Sequence, residues 1–203
     1  MNYGNLKTHF NDLLNRSDIT ASLTTTFIDQ GISRIQRQLR TPLNEKLKTY
    51  TITTNTPSLT LPTDFLEIIS LYYNQYELKR IPMSTFREYN FRTYKGSPQY
   101  FTRQQEDLLL FPTPESGSIV LYYYGEFDAM SADSDENALA AVASDLITYA
   151  GLTYAADYYL DERATVFESK YTQFLTELQE QSNDQELNGS LNQVQPTYSY
   201  GDY

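Results

Sequence analysis

The sequence contains no cysteine, no tryptophan, only one histidine and no long apolar run. Without cysteine, disulfides and thiolate metal sites are excluded, and nothing indicates secretion. No apolar run approaches the roughly 20 residues that a membrane helix needs, so we expect no membrane span. The first ten residues, MNYGNLKTHF, lack the apolar region of a signal peptide, so we expect none.

The short motifs of common catalytic and cofactor sites are also missing. The sequence has no P-loop, no GxGxxG, no GxSxG and no HExxH motif. His9 lies in a predicted helix, where a surface residue is more common than a ligand or a base. Asp133, Asp135 and Glu136 resemble part of a calcium loop, but the glycine and the distal glutamate of an EF-hand are absent, which favours helix capping. We therefore expect neither a cofactor nor a metal.

One enzymatic hypothesis comes from the segment LPTDFLEI, residues 61–68. Asp64 and Glu67 could form the carboxylate pair of a glycoside hydrolase. Sugar-binding clefts usually contain tryptophan, which this chain lacks. The structural alternative is that Asp64 caps a turn that leads into a buried strand, with Phe65 anchoring that strand.

The net charge of −11 is concentrated in one part of the chain. Residues 1–125 contain 13 Lys and Arg against 11 Asp and Glu, whereas residues 126–186 contain 14 Asp and Glu against Arg163 and Lys170. This distribution argues against non-specific DNA binding, which requires basic side chains to replace phosphate counterions. It indicates either two surfaces with different partners or a solvated acidic helix face. The 19 Tyr and 10 Phe favour protein contacts.

Hydrophobic periodicity predicts helices at both ends of the chain and strands between them. Apolar spacings of three and four predict helices over about residues 3–15 and 20–39, another that runs to about residue 160, and a last one that runs to about residue 181. Asp133 and Glu136 have the spacing of a capping box before the third helix. Residues 45–128 contain short apolar runs separated by turn residues, which predicts an antiparallel meander, and MSTFREYNF within it predicts a short helix.

We therefore predict an α+β fold, namely a mainly α-helical bundle with an antiparallel β-rich insertion and a disordered or extended C-terminal tail. Residues 1–44 and 130–182 form the bundle, residues 45–129 the insertion and residues 183–203 the tail. The runs IVLYYY, DLLLF and EIISLYY are apolar at successive positions, so we expect both faces of these strands to be covered. The cover is either the helices or a neighbouring subunit.

Two groups of residues are candidates for protein contacts. Arg34, Arg37 and Arg40 lie opposite the apolar stripe of the second helix, so we expect them to point away from the local core. They form either a basic subunit interface or a solvated face. The polar tail is either an inert terminus or a docking segment. Its candidate docking residues are Leu187, Leu191, Val194, Tyr198, Tyr200 and Tyr203.

In order along the chain, several segments resemble the head-to-tail adaptor proteins of short-tailed bacteriophages. These segments are YGNLKTHFNDLLNRSD, FIDQGISRIQRQLRTP, SLTLPTDFLEIISLYY, KGSPQYFTRQQEDLLLFPTP, SIVLYYYGEF and ALAAVASDLITYAGLTYAADYYLDE. No single motif is specific, but the ordered set is. The resemblance covers about residues 3–180 and includes a GxPxY pattern at Gly96, Pro98 and Tyr100.

The resemblance implies a structural virion protein that is not an enzyme. It implies a dodecameric ring at the head–tail junction, assembled in the host cytoplasm. One end of the ring would bind the portal protein, and the other the tail nozzle protein and in many cases tail fibres. DNA would pass through the channel without sequence-specific binding. The alternatives are a tail-completion or fibre-docking protein of the same virion, and a carbohydrate-active enzyme that uses Asp64 and Glu67.

Overall fold

Helices lie towards the two ends of the chain and strands in its middle, which confirms the predicted α+β class. The computed structural model describes residues 1–88 and 94–187. Its helices are α1 (Tyr3–Leu14), α2 (Ala21–Gln38), α3 (Met83–Glu88), α4 (Ala138–Val142), α5 (Ser144–Tyr159) and α6 (Ala164–Leu187). Its strands are β1 (Glu45–Ile52), β2 (Ser58–Thr60), β3 (Phe65–Tyr73), β4 (Tyr76–Glu77), β5 (Lys79–Arg80), β6 (Tyr100–Gln104), β7 (Asp107–Phe111) and β8 (Gly117–Gly125). None of these helices combines the length and the apolar character needed to cross a membrane.

The chain divides into two compact units. The sheet unit comprises Met1–Asn5 and Arg40–Val142, and the helix unit comprises Leu6–Leu39 and the chain from residue 143 onward. Each unit has buried apolar side chains of its own.

Two four-stranded sheets form the sheet unit. The strand orders are β1-β8-β3-β4 in the first sheet and β2-β7-β6-β5 in the second. Alternate side chains of β8, namely Ile119, Leu121 and Tyr123, are buried in one apolar cluster with Leu108 and Leu110 of β7. This period of two is what a strand requires when only one face lies in the core. The unit is therefore a β-sandwich.

The strand pairing differs from the predicted meander. β1 pairs with β8 over its whole length, from Glu45 opposite Tyr124 to Ile52 opposite Gly117, and β5 pairs with β6 in parallel. The predicted single strand ELKRI is two strands of two residues each. The prediction of a meander is therefore wrong. Strands that lie far apart in the chain pair with each other, and such pairing leaves no local pattern from which it could be predicted.

In the helix unit, α2 and α5 are in backbone contact. A Cβ built on Gly31 would lie 2.7 Å from the Gly151 nitrogen, and one built on Gly151 would lie 3.0 Å from Cε2 of Phe10. The core around this contact includes Ile28 and Leu146, both fully buried. Glycine at these positions permits an approach that any other residue would prevent.

The predicted helix boundaries need three corrections. The predicted cap by Asp133 and Glu136 is wrong, because Asn137 performs this role: its Oδ1 accepts a hydrogen bond from the Ala140 N–H at 2.8 Å. The single helix predicted up to residue 160 is interrupted at Ala143, whose backbone is not helical. The last helix extends to Leu187, beyond the predicted end near residue 181. The other five candidate docking residues of the tail, from Leu191 onward, lie outside the described residues.

We predict that Gly31→Ala destabilises the helix unit. Alanine has the better helix propensity by about 1 kcal/mol, but its methyl group would displace the α5 backbone, and overpacking of this kind typically costs about 1–3 kcal/mol. Chemical denaturation should show a net loss of unfolding free energy. The matched control is Ser33→Ala at an exposed position of the same helix, which should leave stability unchanged or raise it. A Gly31→Ala protein as stable as the control would contradict the close approach.

Candidate functional site

The LPTDFLEI segment joins three parts of the sheet unit through one polar cluster. Lys46 Nζ on β1 donates hydrogen bonds to Asp64 Oδ2 at 2.8 Å and to Asp128 Oδ1 at 3.0 Å. The Tyr123 hydroxyl on β8 donates to Asp64 Oδ1 at 3.2 Å. Phe65 stacks on the Tyr123 ring, with the centroids 5.8 Å apart. The segment therefore anchors the start of β3 to its neighbours.

Both candidate carboxylates of the enzymatic hypothesis are held by cations. Arg40 Nε donates to Glu67 Oε2 at 2.9 Å, as Lys46 does to Asp64. Burial acts to raise the pKa of Asp64, but the hydrogen bonds from Lys46 and Tyr123 and the Lys46 charge outweigh it, so this pKa lies below its usual value. Asp64 is therefore ionised at neutral pH and cannot be the general acid of such a pair, and the hydrogen bonds from Lys46 and Tyr123 occupy both of its oxygens. This geometry supports the structural interpretation of the segment.

The acidic group near α4 also has a structural role. Asp135 Oδ2 accepts hydrogen bonds at 2.8 Å from the N–H groups of Ser131 and Ala132. These bonds lower the pKa of Asp135. In the part of the chain that the structure describes, no group of three or more His, Asp or Glu side chains could hold a metal ion. His9 is exposed on α1.

Arg34 joins three helices of the helix unit. From α2, its Nη1 donates to Thr153 Oγ1 on α5 at 3.1 Å and to Glu168 Oε2 on α6 at 2.9 Å. Its Nη2 donates to the second Glu168 oxygen at 2.5 Å, and its guanidinium carbon lies 4.0 Å from the centroid of the Tyr171 ring. The Tyr171 hydroxyl in turn donates to Gln38 Oε1 at 2.7 Å. The two hydrogen bonds from Arg34 lower the pKa of Glu168.

The three candidate interface arginines therefore have different environments. The prediction that they point away from the local core is wrong for Arg34, because α6 covers the face of α2 that carries it. Arg37 is exposed, with one long hydrogen bond of 3.4 Å to the Tyr154 hydroxyl. Arg40 is half-buried beside Glu67. A helical wheel of α2 alone could not show that a third helix lies there.

Arg163 fixes the turn between α5 and α6. Its Nη1 and Nη2 donate to the carbonyls of Leu13 and Leu14 at 3.2 and 2.8 Å, which satisfies the C-terminal end of α1. Asp161 holds the same guanidinium with bonds of 3.0 Å from Nε and 2.7 Å from Nη2. The side-chain and backbone hydrogen bonds from Arg163 lower the pKa of Asp161 to about 2. The turn is therefore held in place by an ion pair and a helix cap.

The first sheet has an apolar face that points out of the sandwich. Leu47 of β1 lies opposite Tyr122 of β8, and the two side chains are 55% and 40% exposed. The Tyr122 ring makes an edge contact with Tyr72 of β3, with the centroids 5.9 Å apart. Ile69, at a bulge in β3, is 42% exposed. We call these four residues the outer sheet face. The sequence correctly indicates their apolar character but not that this face is exposed.

A comparison with protein families identifies the chain. The model of the SU10 adaptor protein family matches residues 1–194. The chain belongs to the SU10 adaptor protein family. SU10 adaptor proteins are structural adaptors of phages, so this chain is a structural, virion-associated protein. The resemblance to phage head-to-tail adaptors is thereby confirmed. No curated protein matches the chain.

Several contacts of this SU10 adaptor protein could not be found by sequence motifs. Lys46 and Tyr123 were not recognised as partners of Asp64, and Glu168 and Tyr171 were not recognised as partners of Arg34. The sequence contains one indication of the Arg34 partners. Glu168 and Tyr171 are three residues apart, a spacing that places both side chains on one side of a helix. Nothing in the sequence near Asp64 indicates Lys46, because their proximity depends on the pairing of β1 with β8 and of β8 with β3.

We predict that Asp161→Asn destabilises the helix unit in a pH-dependent manner. The pKa of Asp161 in the folded protein is about 2, below its ordinary value of 3.8. Its stabilising effect is therefore fully present above about pH 5 and is lost as the pH falls towards 2. The difference in Tm between wild type and variant should be constant at neutral pH and should shrink below about pH 4. Asp12→Asn, at an exposed position of α1, is the matched control. A difference that does not change with pH would contradict this account.

Proposed function

We propose that this SU10 adaptor protein assembles into a dodecameric ring at the head–tail junction of the virion. The ring links the portal protein to the tail nozzle protein and leaves a channel through which DNA passes. Assembly takes place in the host cytoplasm, and the finished ring stays in the virion. Family membership and the exposed outer sheet face support this proposal.

The outer sheet face is the observation that carries the proposal. Single exposed apolar residues are normal on a soluble protein, but contiguous apolar patches usually mark interaction sites. Leu47, Tyr122 and Tyr72 lie side by side on neighbouring strands of one sheet. Tyr is also enriched in protein interfaces, where its ring is buried and its hydroxyl stays hydrated. We therefore assign this face to contact with a neighbouring virion protein.

The acidic part of the chain suits a channel through which DNA slides. Residues 126–186 carry a net charge of −12, from 14 acidic residues against two basic ones. An acidic wall repels phosphate groups, and this prevents the genome from sticking to the channel. Glu177 and Glu180 on α6 are exposed and available for this role. A map of the assembled ring that places them on its outer wall would remove this part of the proposal.

Two further contacts of the ring are proposed. Arg37, which is exposed, remains a candidate for the interface with a neighbouring subunit, and so does Arg40, although Arg40 also pairs with Glu67 of its own chain. Arg34 instead joins three helices of its own chain. The tail docks on the portal protein through Leu191, Val194, Tyr198, Tyr200 and Tyr203, whereas the first candidate, Leu187, is the last residue of α6. A polar segment with spaced apolar residues can bind a partner in this way, although ordering the segment costs conformational entropy.

We predict that removing the apolar side chains of the outer sheet face prevents assembly without unfolding the chain. The double variant Leu47→Ser/Tyr122→Ser changes two positions that are substantially exposed. Its Tm should therefore differ little from that of the wild type. Mixed with the portal protein, the variant should form few rings in electron micrographs. The matched control is Val142→Ser, which removes an apolar side chain that is 55% exposed on α4. Normal rings from the double variant would count against an interface on this face.

We predict that deleting residues 188–203 abolishes portal binding and leaves the described part of the chain folded. The cut follows the end of α6 at Leu187, so no described helix or strand is shortened. Circular dichroism should match that of the full chain, whereas co-sedimentation with the portal protein should be lost. Full portal binding by the truncated chain would reject the docking role of the tail. Binding to a fibre protein instead of the portal would favour the fibre-docking alternative.

A further inference from the structure

We infer that the turn between α5 and α6 of one subunit inserts into a groove at the β4–β5 edge of the next subunit in the ring. This inference rests on the proposed ring and specifies how neighbouring copies recognise each other. It depends on two features of the chain, an apolar projection with acidic neighbours and an apolar groove with basic neighbours.

The projection is formed by residues 158–163, which we call the α5–α6 corner. Leu160 has a left-handed backbone, with φ of 54°, and it is 89% exposed. Glycine is the usual residue at this position after a helix, because a side chain with this backbone costs free energy. Leucine is unfavourable here both for its conformation and for its exposure. A contact outside the chain explains why a leucine occupies this position.

The corner is apolar, acidic at its edge and rigid. Tyr158 beside Leu160 is 60% exposed. Asp157 and Glu162 flank these two residues and are both exposed. The Arg163 bonds to Asp161 and to the end of α1 hold the turn in its conformation. Such a preorganised projection binds with little loss of conformational entropy.

The groove exists because the edge of the sandwich is incompletely covered. β4 and β5 contain two residues each, and β4 pairs only with Tyr72 and Tyr73 of β3. Among residues 1–88 and 94–187, no strand pairs with the rest of this β3 edge. The groove there has a volume of about 570 Å³, and its apolar lining includes Ile68, Ile69, Leu78 and Phe101. We call it the edge groove.

The edge groove has basic side chains at its rim. Lys79, Arg80 and one acidic residue, Glu77, line it and are exposed, so the rim carries a net positive charge. Neither Lys79 nor Arg80 forms a salt bridge within residues 1–88 and 94–187. The surrounding sequence, residues 76–103, contains six Lys and Arg against two acidic residues, Glu77 and Glu88. A partner that fills this groove should therefore combine an apolar side chain with acidic neighbours.

A second copy of this chain satisfies that requirement. The α5–α6 corner provides the apolar side chain, and Asp157 and Glu162 provide the opposite charge. In a ring, each subunit offers one surface to the subunit before it and a different one to the subunit after it. A corner and a groove on the same chain meet this condition, and opposite charges fix the orientation of neighbours.

Cysteine cross-linking tests this pairing directly, because the natural chain has no cysteine. Leu160→Cys and Ile69→Cys are made as separate full-length variants, mixed in equal amounts with the portal protein and treated with a short bis-maleimide. The mixture should give a covalent dimer that neither variant gives alone. In the matched control, a Val142→Cys variant takes the place of the Leu160→Cys variant. Val142 is also apolar and is 55% exposed, but this mixture should give no covalent dimer.

Each outcome of this experiment decides the question. Rings that form without the cross-link would overturn the pairing and leave the proposed ring intact. The absence of any ring or oligomer in micrographs would overturn both. Cross-links from both variants to the portal protein, and none between the variants, would overturn the pairing and assign these surfaces to the portal.

A second variant separates assembly from folding. Leu160→Gly removes the projecting side chain and also relieves the left-handed backbone. Its Tm should therefore stay equal to that of the wild type or rise. Subunit association should weaken by about tenfold or more, the loss expected when one buried leucine contact is removed. Unchanged association in this variant would contradict the inference even if a cross-link were obtained.

Discussion

The contacts of Arg34 hold the helix unit in one arrangement. One guanidinium binds Glu168, contacts Thr153 and stacks on Tyr171, so three helices meet at a single side chain. Arginine suits this role because its planar fork can bind a carboxylate with two hydrogen bonds and stack on a ring at the same time. A lysine could supply the charge but not both contacts. The position of α6, and with it the α5–α6 corner, follows from this contact and from the Arg163 cap.

Several charge contacts between described residues lie within a single unit. Lys46 binds Asp64 and Asp128, Arg40 binds Glu67, and Arg163 binds Asp161. Each pair fixes a local geometry, and partly exposed ion pairs of this kind add little stability individually. The outer sheet face and the edge groove instead carry apolar side chains. Internal ion pairs with exposed apolar surfaces are what we expect of a subunit that folds first and assembles later.

The fold class and the positions of the strands could be predicted from sequence because both depend on local patterns. Short apolar runs bounded by turn residues mark the segments that become β7 and β8, and apolar spacings of three and four mark the helices. The pairing of β1 with β8 could not be predicted, because it joins residues about 70 positions apart without a local signal. The Asn137 cap was missed for another reason. Asp133 and Glu136 have the better-known spacing, but the helix starts four residues later than they indicate.

The candidate surfaces were harder to predict than the fold. The arginines of α2 were identified correctly as basic, but their direction depends on α6, which lies more than 100 residues away in the chain. Leu160 could not be identified, because a leucine after a helix does not predict a left-handed backbone. The edge groove depends on β4 and β5 being only two residues long, whereas the sequence predicts one longer strand, ELKRI. The exposed apolar surfaces of this chain could therefore be identified only from its three-dimensional structure.

Cryo-electron microscopy of the full-length chain mixed with the proposed partner, the portal protein, can show whether assembly covers the apolar surfaces that the single chain leaves exposed. We expect a closed ring in which Tyr122 and Leu160 are buried against neighbouring proteins and Leu160 lies beside Ile69 of the next subunit. A ring in which the outer sheet face and the α5–α6 corner both remain in solvent would contradict it.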